Sequence, residues 1–126
     1  FEADLTRIIE QTLAQGVIPV LSTIPPQPAQ PDAVERFNGV ILQIATDKSL
    51  PLWDYHALMV NLPNQGLTWD NLHPSSPPEW FDQAAIFTPE YLQYGYVMRN
   101  LSALMVLDAI YTAVQAPWWG LCEDVC

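Results

Sequence analysis

Gly16-Val17-Ile18-Pro19-Val20-Leu21-Ser22-Thr23-Ile24-Pro25-Pro26 is the stretch on which the fold turns. Val17 to Leu21 is apolar at every position, as a parallel strand covered on both faces would be. The Pro-rich segment from Ile24 to Pro31 cannot join a ladder, so it must be a surface loop at the strand's C-terminal end. Upstream, Leu5, Ile8, Ile9 and Leu13 recur at helical spacing and Gly16 is placed to be a C′ residue, which predicts an amphipathic helix. Downstream, Asp32 with Glu35 reads as a capping box opening a helix whose buried stripe is Val34, Phe37, Ile41 and Ile44. Leu50 to Trp53 is the next strand. Strand, helix and strand in this short compass predict a right-handed crossover with parallel strands, and so an α/β fold.

Beyond that unit, residues 56 to 62 predict a helical turn, and 63 to 90 a Pro-containing loop anchored by Trp80, Phe81, Phe87 and Tyr91. From Tyr91 to Val114 runs the longest helix. Val97, Leu101, Leu104, Met105, Leu107 and Tyr111 share one face, while Val106 and Ile110 point the other way. A helix apolar on so much of its circumference is buried on more than one side or meets a partner, a second copy of the chain included. The organisation is one domain over 1–114 and a Cys-containing tail over 115–126.

Composition bounds the partners. Fourteen acidic against four basic side chains give a net charge of −10, which repels phosphate backbones and anionic lipid and excludes nucleic acid. No run reaches about 18 uninterrupted apolar residues, so no transmembrane segment is expected. The start shows no basic segment followed by an apolar run, which places any signal peptide upstream. Scarce Lys, twelve Pro and five Trp suit a secreted or cell-surface protein. Cys122 and Cys126 are read first as a small disulfide loop in an oxidising compartment, with bonds to another segment or protomer as the alternative. No His, Cys and Asp cluster has metal-ligand spacing, so neither a metal nor a cofactor is expected.

The chemistry lies in Gly66-Leu67-Thr68-Trp69-Asp70-Asn71-Leu72-His73-Pro74-Ser75. An Asp three residues before a His, in a loop entered by Gly66 and left through Pro74, puts a carboxylate beside an imidazole with no long-range fold. That pair is two thirds of a hydrolytic triad. Of Ser22, Ser49, Ser75, Ser76 and Ser102, none lies in a nucleophile-like Gly-rich turn, and Ser75 and Ser76 read as loop hydrogen-bonders. His56 reads as a packed or exposed histidine. Asp54 and Tyr55 end a strand on the active edge and are either pocket lining or strand-end caps; Trp69 and Trp80 either wall a cleft or anchor the loop.

These features resemble the C-terminal half of the SGNH (GDSL-type) hydrolases, over about residues 1 to 112. In that family a Ser in a Gly-Asp-Ser motif follows the first strand, a Gly and the Asn of Gly-x-Asn-Asp complete an oxyanion hole, and a closing Asp-x-x-His supplies the triad acid and base. Asp70 and His73 match that closing motif residue by residue, and Arg99-Asn100 is similar to a pair in the last helix of some relatives. Phe1 to Leu5 looks like the helix that follows the Gly-x-Asn-Asp loop, so the resemblance places nucleophile and oxyanion hole upstream of Phe1. It implies a flavodoxin-like three-layer sandwich of which these are the last two strands, completed by an N-terminal half in cis or as a separate chain. The implied activity is hydrolysis of an ester, on a lipid or an acylated carbohydrate, with Trp69, Asp54 and Tyr55 at the substrate. The alternative is a non-catalytic binding or assembly protein on the same scaffold.

Overall fold

In the computed structural model, residues 1–78 and 83–116 are described. In chain order the elements are α1 (Glu2–Ala14), β1 (Leu21–Ser22), α2 (Pro31–Asp47), β2 (Leu52–Trp53), α3 (Tyr55–Met59), a tight turn over Pro63–Gly66, and α4 (Gly95–Gln115). β1 and β2 are parallel, with Leu21 opposite Leu52 and Ser22 opposite Trp53. This is a mixed α/β arrangement in which α2 is the crossover.

Each element follows from its residues, with instructive departures. α1 ends as its spacing requires: Gly16 sits at φ +72°. Its N–H donates to the Leu13 carbonyl and that of Val17 to the Thr12 carbonyl, which closes the last turn of the helix. α2 does not open on a capping box. Its N-cap is Gln30, with no side-chain cap, and Pro31 takes the first helical position, where its fixed φ fits and its missing N–H costs nothing. Asp32 therefore lies inside the first turn, where the helix dipole favours a carboxylate.

The strands are shorter than the apolar runs that predict them. Ladder bonds run from Leu21 N–H to the Pro51 carbonyl and from Thr23 N–H to Trp53. Pro51 has no N–H to extend the pairing backwards. Val17, Ile18 and Val20 are exposed, so the expectation of a strand covered on both faces fails for them. Nothing among the described residues pairs with the other edge of β1.

Alternation along β2 divides the interior in two. Leu52 packs on a core of Ile9, Leu21, Ile41, Ile44 and Ala45, built by α1, β1 and α2. Trp53, one residue on, packs with Tyr55, Met59 and Leu67, and its indole N–H donates to Ser102 Oγ of α4 at 3.1 Å. The expected stripe of α2 holds at Val34, Ile41 and Ile44. Phe37 is only half-buried, edge-on to Phe1 at 4.7 Å between ring centroids. The buried residues that spacing missed are Ala45 and, the only polar one, Asn38. Its carboxamide accepts from Ile24 N–H at 2.7 Å and donates to the Ile24 carbonyl at 3.0 Å, so the polar group is fully spent on the loop after β1.

α4 begins at Gly95, four residues later than Tyr91, because Ser75 pins its first turn: Ser75 Oγ accepts from Gly95 N–H at 2.9 Å and the Ser75 carbonyl from Tyr96 N–H at 3.0 Å. Val97 is fully buried and Ser102 nearly so, whereas Leu104, Met105, Leu107, Tyr111 and Val114 are exposed. This helix bears on the expectation of no transmembrane segment without overturning it, since the core helix of a soluble protein can be as long and as apolar. α4 spans 21 residues with mean hydropathy 1.3 across its most apolar stretch, long and apolar enough to cross a bilayer by length and composition. Arg99 and Asp108 interrupt its apolar runs without pulling the average down, which is why counting uninterrupted residues missed it.

Candidate functional site

The site loop closes on itself. Leu67 and Pro74 form an antiparallel bridge, Thr68 N–H donates to the His73 carbonyl at 2.8 Å, and Ser75 N–H to the Gly66 carbonyl at 2.7 Å. At the tip, Asn71 adopts φ +56°, a left-handed conformation that Asn tolerates better than most residues. Trp69 to His73 is thereby presented outward as a rigid turn.

Asp70 divides its oxygens. Oδ1 accepts from the Thr68 hydroxyl at 2.5 Å and from the N–H groups of Leu72 at 3.0 Å and His73 at 3.1 Å, which shapes the turn. Oδ2 lies 2.6 Å from His73 Nδ1. A carboxylate only accepts, so Nδ1 carries the proton in that bond, and the neutral imidazole keeps its free lone pair on Nε2. The Thr68 hydroxyl first, then the His73 ring and the His73 and Leu72 N–H groups, hold the Asp70 carboxyl well below the usual carboxylate range. His73 remains open to solvent, with 64% of its side chain exposed. The loop thus offers an oriented general base on an accessible edge.

The loop is seated by two glycines. A Cβ on Gly95 would stand 2.1 Å from the Gly66 carbonyl oxygen, and one on Gly66, at φ +69°, would meet the Met59 side chain at 2.7 Å. The first turn of α4 and the mouth of the site loop therefore touch backbone to backbone, over a methionine from α3.

The other residues singled out lie in varied places. Trp69 is 91% exposed beside Asp70. Asp54 is the N-cap of α3: its Oδ1 accepts from Ala57 N–H at 3.2 Å and from the Thr23 hydroxyl at 2.9 Å. Tyr55 goes to the core rather than to a pocket wall, 5% exposed and 5.0 Å from the Trp53 ring. Its hydroxyl has no hydrogen-bond partner among the described residues, and burial pushes its pKa up against the opposing charge of Arg99. His56 donates from Nδ1 to the Ile24 carbonyl at 3.1 Å, and its N–H to Thr23 Oγ1 at 2.8 Å. Asn100 donates to the Ala84 carbonyl at 3.0 Å. Trp80, Phe81, Cys122 and Cys126 lie outside the described residues. Among the described residues no three of His, Cys, Asp or Glu are grouped to hold a metal ion.

A second feature escaped the sequence reading. Between the Pro-rich loop, α2 and α3 lies an open-mouthed cavity of about 720 Å³, which neither Asp70 nor His73 lines. The only signal of it in the sequence is a glycine, Gly39, in the middle of an otherwise good helix.

No family model matches the chain, and no curated protein or solved structure matches it either.

Proposed function

We propose that this chain supplies the base and the orienting carboxylate of an ester hydrolase of the SGNH kind, His73 and Asp70. The observation that carries the reading is the 2.6 Å contact between Asp70 Oδ2 and His73 Nδ1, which leaves Nε2 free to take a proton. In the reaction His73 Nε2 takes the proton of a serine hydroxyl as its oxygen attacks the ester carbonyl. The imidazolium then returns that proton to the leaving alkoxide, and a second cycle with water releases the acid. Asp70 keeps the ring in the productive tautomer and stabilises its charged form.

The serine and the oxyanion hole belong, in this reading, to sequence upstream of Phe1, in the same polypeptide or a companion chain. That half would also supply the strands beside β1, completing a flavodoxin-like three-layer sandwich. The unpartnered edge of β1 and the exposed Val17, Ile18 and Val20 support this completion. Lipids or acylated carbohydrates are the proposed substrates, Trp69 is the substrate-side aromatic, and the setting is secreted or cell-surface.

The test is turnover of a p-nitrophenyl ester by the protein extended upstream of Phe1. His73→Ala should lower kcat/KM by ~10³-fold or more. Unchanged turnover would remove His73 from the mechanism.

A further inference from the structure

We propose that the cavity between the Pro-rich loop and α3 is a second binding site, separate from the Asp70–His73 pair, for an uncharged, mainly apolar small molecule that donates one hydrogen bond. The argument begins at Gly39. It lies inside α2, where glycine is less favourable than alanine, and no positive φ calls for it. Apart from the neighbouring backbone of its own helix, no atom lies within 4 Å of where its Cβ would stand, so packing within the fold does not require its smallness. The room it leaves belongs to the cavity that it lines.

The walls define the ligand. Pro28 and Pro31 face it from the loop side, and Leu42 and Val60 from the helices, the last two still 40% and 42% exposed although they border the same hollow. Its volume of about 720 Å³ falls within the range of about 300–1,000 Å³ of small-molecule sites, which are mostly apolar with a few placed polar groups. Prolines hold their backbone, and the loop is tied down besides: the Ile24 backbone is gripped by Asn38 on both sides and by His56 Nδ1. Walls already ordered lose little entropy when a ligand arrives.

Polar groups set the sign and the hydrogen bond. No lysine or arginine lines the cavity, whereas Glu35 does, so an anionic ligand is repelled. With the His56 Nδ1 proton committed to the Ile24 carbonyl, the neutral ring offers the lone pair of Nε2, which accepts from a hydroxyl or an amide N–H.

The probe is 2-naphthol, with 2-naphthoate as its anionic counterpart, followed in ¹H–¹⁵N spectra of the full chain. Saturable shifts by 2-naphthol centred on Gly39, His56 and Val60, with naphthoate at least about tenfold weaker, are expected. Gly39→Leu fills the hollow from α2 and Val60→Phe from the cap of α3, so failure of one variant to fold leaves the other. Either should weaken 2-naphthol by about tenfold or more. Unaltered affinity in a folded filling variant would overturn the site. So would shifts gathered on Leu104 to Val114 of α4, and equal binding of naphthoate would overturn the assigned chemistry.

Discussion

At the scale of single residues the site depends on how Asp70 shares itself, one oxygen for the turn and one for the imidazole. Asp70→Asn keeps a carbonyl oxygen for the turn but places an amide donor where His73 Nδ1 needs an acceptor. The ring then turns to the tautomer protonated on Nε2, which cannot take a proton. On the proposed esterase reading, this variant of the protein extended upstream of Phe1 should lose about 10³–10⁴-fold in kcat with KM little changed, checked by steady-state ester hydrolysis. The pH dependence has a definite sign. The Asp70 carboxyl is lowered on folding, so the stability its hydrogen bonds contribute is in place above the ordinary carboxylate range and is lost progressively as pH falls from that range to the depressed folded value. A ¹³C titration should place the Asp70 midpoint below the ordinary value of about 3.9, with Thr68→Val moving it upward because that hydroxyl is the largest cause. A midpoint at the ordinary value would show that the turn does not hold the carboxylate.

Among elements, the contact that seats the candidate site is the one between the mouth of the site loop and α4. Gly95→Ala drives a methyl group into the Gly66 carbonyl, and backbone on backbone cannot yield as a flexible side chain can. The expected cost is about 2 kcal/mol or more, read as a lower urea midpoint, together with amide shifts through 66–75. Wild-type shifts in that loop would mean that α4 does not seat it. Gly39→Ala should act in the opposite direction, stabilising by about 0.5–1 kcal/mol, since its Cβ meets open space in a helix interior. The two glycines look alike in the sequence. Only their surroundings separate one that is sterically required from one that is not.

For the whole molecule, the unresolved matter is apolar surface. Leu104, Leu107, Tyr111 and Val114 recur along one side of α4 and are exposed, as are Val17, Ile18 and Val20 beside the free edge of β1. At about 25 cal/mol per Å², several hundred Å² left in water amount to several kcal/mol, comparable with the stability of a domain. Residues 1–126 expressed alone should therefore bind a hydrophobic dye, self-associate in analytical ultracentrifugation and show no esterase activity. The pair of substitutions Leu107→Glu and Tyr111→Glu should reduce both dye binding and association. A dye-silent monomer with a cooperative thermal transition would show that these cores suffice without further cover.

Local signals were legible in the sequence where the physics is local. The Schellman end of α1 at Gly16, the parallel crossover through α2 and the Asp70–His73 contact all follow from neighbours within a few residues or from one periodicity. Tertiary structure decided what depends on distant partners. Strand length was set by Pro51 and by what lies beside β1, and the burial of Asn38 by the backbone of Ile24, fourteen residues away. Tyr55 joined the core because α3 and the site loop close over it, while α4 starts at Gly95 because Ser75, twenty residues back, supplies its first acceptor. The sequence alone determined that an aspartate and a histidine meet. The fold determined on which seat they meet, because a hydrogen bond across a tight turn needs only the turn, whereas a seat needs two segments that the chain brings together only when folded.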